Sequence, residues 1–261
     1  MPHVLVAGRV HPSGLGVLEN AEGVTFESVT DPDPAAYLAR LPDADGVLLR
    51  TQPLTAAHLE TAPRLAIVSR HGVGYDAVDV AALTARGIPL AVVGDVNSRT
   101  VAEHAMMLIL AASRRLGEQG MRLRAGDWAH RNAFSGREVD GKTLLIVGFG
   151  RIGRNLAARA EPFGMRILVH DPFVDPSSIA HETAADLRAA LAEADIVSLH
   201  VPKTGEGPLI GPDEIAAMKP DAVVVNTARG GLVDEGALLE ALNAHRLGAA
   251  GLDVFEAEPP A

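Results

Sequence analysis

The segment from Thr143 to Asp171 constrains the fold of this chain more than any other stretch. Its apolar run from Leu144 to Val147 is typical of a buried strand, and a segment with helical spacing of apolar residues follows it. A second apolar run then ends at Asp171. Strand, helix and strand in this order predict a βαβ unit, whose two strands lie parallel in one sheet.

Three glycines, Gly148, Gly150 and Gly153, open the helical segment. In a dinucleotide-binding unit the first permits a tight turn, the second lets the backbone approach a pyrophosphate, and the third lets the helix lie close to the strand. Asp171 follows the glycines by about 20 residues, where an acid binds the adenosine ribose and repels a 2′-phosphate. The segment therefore predicts an NAD site rather than an NADP site. The alternative is that the glycines serve only turns and packing.

Length and composition favour two α/β domains. The chain has 261 residues, of which 48% are hydrophobic. Its net charge of −10 argues against nucleic acid or an anionic membrane as a partner. A sequence without cysteine excludes disulfides and thiolate sites, and the spacing of its ten histidines predicts no metal site. No basic leader precedes the first apolar run, so we expect a cytoplasmic protein.

Residues 1–96 are predicted to form a flavodoxin-like domain, because short apolar runs alternate there with Ala/Leu-rich segments. The glycine-containing loop Arg70–Gly74 follows one predicted strand, and its backbone N–H groups could bind a carboxylate. Arg50 follows another strand and could add a charge-assisted hydrogen bond to the same anion. For each feature alone, a solvated surface position is the alternative.

Residues 97–261 are predicted to form the second, Rossmann-type domain. The stretch from Thr100 to Leu116 predicts one long helix whose middle, Ala105 to Leu110, is apolar nearly all round and so must be buried on several sides. Residues 117–141, which include Trp128, follow neither the helical nor the strand period and indicate an arm. Helix and arm together predict a homodimer interface, with packing inside the chain as the alternative.

Further apolar runs in this domain end in polar residues, as expected of a doubly wound parallel sheet. These residues are His200, the segment from Asn226 to Arg229, and Asp253. Ligands bind at the carboxyl edge of such sheets, so we expect these side chains beside the glycine loop. Arg229 is well placed there for an anionic substrate.

Several stretches together resemble the D-isomer-specific 2-hydroxyacid dehydrogenases, particularly the D-3-phosphoglycerate dehydrogenase branch. They are R-H-G-V-G-Y-D-A-V-D from Arg70, N-S-R-T-V-A-E from Asn97, V-G-F-G-R-I-G from Val147, N-T-A-R-G-G-L-V-D-E-G-A from Asn226 and G-L-D-V-F-E-A-E-P from Gly251. The resemblance implies an NAD-dependent enzyme that transfers a hydride between nicotinamide and a D-2-hydroxy acid or its 2-keto partner, with 3-phosphoglycerate as a candidate substrate.

The resemblance also implies residue roles. Arg229 binds and polarises the substrate carboxylate and carbonyl, and Glu258 is the acid paired with a catalytic histidine. The predicted substrate-binding residues are Arg50, Arg70, His71, Val73, Gly74, Asn97 and Arg229. The predicted cofactor-binding residues are Val73, Gly148, Gly150, Arg151, Ile152, Gly153, Asp171, His200, Val201, Pro202, Thr227, Ala228, Arg229 and Asp253.

One feature departs from the family pattern. The family histidine lies in a Pro-His-x-Gly stretch shortly after the Glu-Pro motif, and this sequence stops at Ala261 before such a stretch. We therefore expect a C-terminally truncated chain with impaired catalysis, whose substrate domain lacks its returning helix. His71 is the one candidate for a substitute acid, but a polar contact to substrate is the favoured interpretation.

Two other functions stay open at this level. One is a non-catalytic NAD-sensing regulator with the same fold, against which the presence of both Arg229 and Glu258 argues. The other is a formate or phosphite dehydrogenase. Formate dehydrogenases resemble the stretch from Val101 to His104 but carry Gln in place of Glu258, which counts against that function.

Overall fold

The computed structural model describes residues 1–205 and 207–260. The chain divides into two compact units, Met1–Val96 and Asn97–Ala261. Among the described residues, no helix has the length and apolar character needed to cross a membrane.

The first unit is a parallel sheet with helices between its strands. Its strands are β1 (His3–Ala7), β2 (Thr25–Val29), β3 (Gly46–Leu49), β4 (Ile67–Arg70) and β5 (Leu90–Val92). Its helices are α1 (Pro12–Glu19), α2 (Pro34–Leu38), α3 (Ala56–Glu60) and α4 (Val80–Ala85), with a 3-10 turn at Leu41–Asp43. The strand order β2-β1-β3-β4-β5 is that of flavodoxin-like domains, as predicted.

The second unit contains a larger parallel sheet. Its strands are β6 (Thr143–Val147), β7 (Arg166–His170), β8 (Glu182–Thr183), β9 (Ile196–Leu199), β10 (Val223–Asn226) and β11 (Ala249–Leu252). Its helices are α5 (Ser98–Ser113), α6 (Leu116–Arg124), α7 (Arg151–Ala160), α8 (Leu187–Glu193), α9 (Pro212–Ala217) and α10 (Glu235–Asn243). Shorter 3-10 helices cover Trp128–Ala133, Glu161–Phe163 and Pro176–Ser178.

The strand order of this second sheet is β11-β10-β9-β6-β7-β8, the doubly wound Rossmann arrangement of two βαβαβ halves. From β8, at one edge of the sheet, the chain returns through α8 to β9, which pairs with β6 on the side away from β7. Ligands bind where such a crossover leaves a crevice at the carboxyl ends of the strands. The predicted fold class, α/β with two doubly wound domains, is therefore confirmed.

Strand β6 shows why the sequence of a central parallel strand is almost continuously apolar. Leu145 and Val147 pack in a cluster on one face of the sheet, and Leu144 and Ile146 pack in a second cluster on the other. Successive side chains of a strand point to opposite faces, and helices cover both faces here. The side chains from Leu144 to Val147 are therefore apolar on both faces.

The predicted single helix from Thr100 to Leu116 is wrong at its C-terminal end. Helix α5 ends at Ser113, and α6 begins at Leu116. Between them Arg115 has a φ of 49°, in the left-handed region. That conformation costs a non-glycine residue about 1–2 kcal/mol, so the residue type did not signal the break.

The predicted arm, residues 117–141, is likewise more regular than expected. It contains most of α6 and the 3-10 helix Trp128–Ala133. Two glycines, Gly117 and Gly120, lie inside α6 and weaken the helical signal in the sequence. The arm therefore begins as a helix and becomes irregular only towards β6.

Two adjacent leucines of α10, one buried and one exposed, test which face of this helix packs against the core. Leu238 is 3% exposed and belongs to the core, whereas Leu239 is 59% exposed. We expect Leu238→Ala to lower the free energy of unfolding by about 2–5 kcal/mol, because a buried leucine leaves a cavity. Leu239→Ala should change it by less than about 0.5 kcal/mol. Urea unfolding of both variants checks this; equal losses would contradict the assigned face of α10.

Candidate functional site

A cavity of about 510 Å³ lies at the carboxyl edge of the second sheet, beside β6, β7 and β9. Its volume is within the range of small-molecule sites. Six predicted residues line it: Gly148, Gly150, Asp171, His200, Val201 and Pro202. Its other lining residues were not predicted as site residues; they are Val147, His170, Pro172, Phe173, Lys203, Thr204, Gly205, Gly207, Pro208, Leu209 and Leu232. Most of these belong to loops, where periodicity provides no signal.

The three glycines of the β6–α7 turn differ in what surrounds them. Gly148 has a φ of +93°, and a side chain there would lie 2.6 Å from the carbonyl oxygen of His200. A side chain at Gly153 would overlap the carbonyl oxygen of Gly148. At Gly150 no described atom lies within 4 Å of the corresponding position. Packing thus requires the first and third glycines, while the second faces open space at the start of α7.

Helix α7 presents its N-terminus to this turn. Gly150 is its N-terminal cap, and no side chain of the described residues caps the helix there. Arg151 is exposed and Ile152 is half-buried in the first turn. Free N–H groups and the helix dipole at such an end favour an anion.

Asp171 directly follows β7, and its carboxylate is held by the backbone. Oδ2 accepts a hydrogen bond from the Phe149 N–H at 2.7 Å, and Oδ1 accepts one from the Phe173 N–H at 2.9 Å. An ionised carboxylate has further lone pairs, so both oxygens can still accept bonds from a ligand. Asp171 therefore orients the glycine turn while lining the cavity, a double role that the sequence pattern did not reveal.

His200 follows β9 and carries a buried nitrogen without a hydrogen-bond partner. Its Nε2 lies 2.9 Å from Ser198 Oγ, whereas Nδ1 has no partner among the described residues. Burial lowers the pKa of His200 to about 4, so the ring is neutral near pH 7. Thr227 Oγ1, just past the neighbouring strand β10, is also buried and has no partner in the described part of the chain. Such orphaned groups require an explanation, and a polar ligand at this edge would supply one.

Asn226 organises the loop that follows β10. Its side chain accepts a hydrogen bond from the Ala228 N–H at 3.0 Å and donates one to the Arg229 carbonyl oxygen at 2.8 Å. The Arg229 guanidinium in turn donates to the Ala228 carbonyl oxygen at 2.7 Å. Arg229 is thereby held at the carboxyl edge of the sheet, half-buried and close to its own backbone. The sequence pattern placed this cation but could not show that Asn226 anchors its loop.

The segment after β11 carries the remaining predicted acids. Asp253 donates its N–H to the Asn226 carbonyl oxygen at 3.0 Å. Glu258 is exposed, and its Oε1 accepts a hydrogen bond from the Phe255 N–H at 3.1 Å. Neither residue lines the 510 Å³ cavity. Gly230 packs directly against the Phe255 backbone, so the β10 loop and this segment are in contact.

The predicted substrate residues of the first unit cluster at the carboxyl edge of its own sheet. Leu49 of β3 pairs with Arg70 of β4, which places Arg50 next to His71. The His71 N–H donates to the Leu49 carbonyl oxygen at 2.7 Å, and the Arg70 guanidinium donates to the His71 carbonyl oxygen at 2.8 Å. Val73 is exposed and Gly74 half-buried in the same loop. Asn97 lies elsewhere, at the start of α5 in the second unit.

Burial of His200 predicts a pH-dependent stability. Its pKa is about 4 when folded, against an ordinary value of 6.5, so only the unfolded chain binds the proton between these limits. The stability from the neutral ring is complete above about pH 6.5 and is lost as the pH falls towards about 4. From about pH 7 to about pH 5 wild type should lose roughly 2 kcal/mol more than His200→Asn. Urea unfolding at both pH values measures this, and parallel profiles would contradict it.

Known proteins are similar to this chain in sequence and in fold. Residues 106–261 match the family described as D-isomer specific 2-hydroxyacid dehydrogenase, NAD binding domain. The chain is 44% identical over 264 residues to D-3-phosphoglycerate dehydrogenase of Mycobacterium leprae, which covers 99% of this chain and 49% of that protein. It is 39% identical over 267 residues to glyoxylate reductase of Korarchaeum cryptofilum, which covers 99% of this chain and 80% of that protein.

A solved structure shows the same architecture. The TT0316 protein from Thermus thermophilus superposes with a TM-score of 0.92 at 35% identity, covering 99% of this chain and 84% of that one. The chain spans about half the length of the D-3-phosphoglycerate dehydrogenases that it matches. The glycine turn, the acid after β7 and the polar strand ends fit NAD, the cofactor of this domain. The chain belongs to the D-isomer-specific 2-hydroxyacid dehydrogenase family.

Proposed function

We propose that this protein is an NAD-dependent oxidoreductase that transfers a hydride between nicotinamide and a D-2-hydroxy acid or its 2-keto partner. The observation that carries the proposal is the open space at Gly150, between two tightly packed glycines and in the same cavity as Asp171. The backbone approaches a pyrophosphate most closely at this position of a dinucleotide site. When bound, NAD accepts or donates the hydride.

The proposed substrate roles follow the charges at the two sheet edges. Arg229, held by its own loop, binds the carboxylate and polarises the carbonyl of a 2-keto acid. Reduction leaves an alkoxide that needs a proton, and Glu258 is proposed as the carboxylate of the acid–base pair that supplies it. We also propose that the loop Arg70–Gly74 and Arg50, at the carboxyl edge of the first unit's own sheet, contact substrate, and that Arg50 is a cation suited to a phosphate such as that of 3-phosphoglycerate.

Oxidation of NADH in the presence of glyoxylate, hydroxypyruvate or 3-phosphohydroxypyruvate tests this proposal. Turnover with one of them, lost in Arg229→Ala while NADH still binds, would support it. NADH binding without turnover on any 2-keto acid, even in a version extended through a Pro-His-x-Gly stretch, would instead favour a non-catalytic, NAD-sensing regulator. Activity on formate alone would favour a formate dehydrogenase.

Asp171 is predicted to set the cofactor preference. NAD(H) should bind at least about tenfold, or about 1.4 kcal/mol, more tightly than NADP(H), since the carboxylate binds the ribose hydroxyls and repels a 2′-phosphate. Asp171→Asn should narrow this gap, because it removes the charge yet keeps an oxygen for the Phe149 N–H. Fluorescence titration with NADH and NADPH measures both affinities. Equal affinities in the wild-type protein would overturn this assignment.

Alanine substitutions at Gly150 and Gly153 should have different effects, one on NADH affinity and the other on stability. Gly153→Ala should be strongly destabilising, because its methyl group would overlap the Gly148 carbonyl oxygen. Gly150→Ala has room within the folded chain and a φ of −74°, so it should fold normally but weaken NADH binding. Thermal unfolding and NADH titration of both variants check this. Normal NADH affinity of Gly150→Ala would argue against a pyrophosphate at this turn.

We also propose a homodimer formed through α5, α6 and the arm. A groove of about 790 Å³ lies beside α5 and α7, lined largely by apolar residues such as Met107, Leu110 and Phe163. Met107 is 48% exposed and Phe134 of the arm is 91% exposed. Apolar surface of this extent favours an interface, and a second copy offers the same exposed side chains to cover it. A cytoplasmic location is proposed as well, supported by a sequence without cysteine.

Sedimentation of charge variants tests the dimer. We expect wild type to sediment as a dimer at micromolar concentration and Met107→Glu as a monomer, because a buried unpaired charge is costly. Leu239→Glu is the control, since Leu239 is equally apolar and exposed but lies outside the groove. A monomeric wild-type protein, or no difference between the two variants, would count against the proposed interface.

A further inference from the structure

A contact between α5 and the residue that follows β11 lies outside the cavity. His104 Nε2 lies 3.2 Å from Asp253 Oδ1, and their side chains are 39% and 51% exposed. Within the described residues, this is the contact that the Asp253 carboxylate makes. The Asp253 backbone is separately fixed by its hydrogen bond to Asn226. His104 is therefore in a position to orient this carboxylate.

The topology places Asp253 on the opposite side of the crossover from Asp171. The sheet consists of two halves, β6-β7-β8 and β9-β10-β11, and a dinucleotide extends across both at their carboxyl edge. Asp171, after β7, marks the half that takes the adenosine. The nicotinamide nucleotide then lies over the other half, and Asp253 follows its last strand.

We propose that His104 is a positioning residue for the nicotinamide half of the cofactor, acting through Asp253. The nicotinamide carboxamide carries an NH₂ donor, and a carboxylate accepts such a bond well. With Asp253 Oδ1 held by His104, Asp253 Oδ2 remains to accept the hydrogen bond from the carboxamide. Because the Asp253 side chain is already oriented, it does not lose rotamer freedom when the cofactor binds. The inference rests on the proposed NAD-dependent function.

A purely structural role is the competing explanation, since the contact also ties α5 to β11. Glu103, the residue before His104 on α5, forms a comparable ion pair between elements: its Oε1 lies 3.0 Å from Arg159 Nη2 of α7. A structural tie would affect all ligands of the domain alike. A positioning role would affect only ligands that carry the nicotinamide half.

Titration with NADH and with ADP-ribose, which lacks nicotinamide, separates these explanations. His104→Leu should weaken NADH binding about 3- to 10-fold, the effect of one hydrogen bond, and leave ADP-ribose binding unchanged. His104→Gln carries an amide NH₂ at a similar reach and should restore most of the NADH affinity. Glu103→Gln, which removes the neighbouring tie, should leave the ratio of the two affinities unchanged.

A second variant covers the outcome in which His104→Leu does not fold. Asp253→Asn should show the same selective loss of NADH affinity, and adding His104→Gln to it should cause no further loss, because the two residues act as one unit. Equal weakening of both ligands, or of neither, would overturn the positioning role. A wild-type protein that binds neither ligand would instead overturn the proposed function.

Discussion

The close packing of the β6–α7 turn is the constraint on which the rest of the site depends. Gly153 must lie against the Gly148 carbonyl oxygen, and Gly148 against the backbone of His200. Because of these contacts, the start of α7 lies close to the carboxyl ends of the paired strands β6 and β9. The free N–H groups of the helix then face the cavity instead of bulk solvent. The open space at Gly150 thus lies beside the cavity, between two glycines that packing requires.

Polar groups around this turn are held mainly by the backbone. Asp171 is oriented by the N–H groups of Phe149 and Phe173, and the loop of Arg229 is oriented by the buried side chain of Asn226. Groups that are fixed before a ligand arrives lose little conformational entropy on binding, so less of the interaction energy is offset and the affinity is higher. His200 and Thr227 complete this edge with polar atoms that have no partner in the described part of the chain.

Much of this arrangement was predictable because it follows from periodicity and from single residue types. Apolar runs such as Leu144–Val147 identify central strands, since both faces of a parallel sheet are covered. The break at Arg115 was not predictable, because a left-handed arginine is selected by the packing on both sides of it and not by its own preference. The contact of His104 with Asp253 joins residues far apart in the chain, and no local pattern indicates such a pair.

The sequence by itself determined the family, the two α/β units and the strand ends at which polar residues gather, because each depends on local order along the chain. Only the tertiary structure decided which glycine is open to a ligand, which backbone groups hold Asp171, and which side chain orients Asp253. The physical reason is that these properties depend on distances between separate elements. Such distances are set by the packing of helices on the sheet, to which every buried side chain contributes.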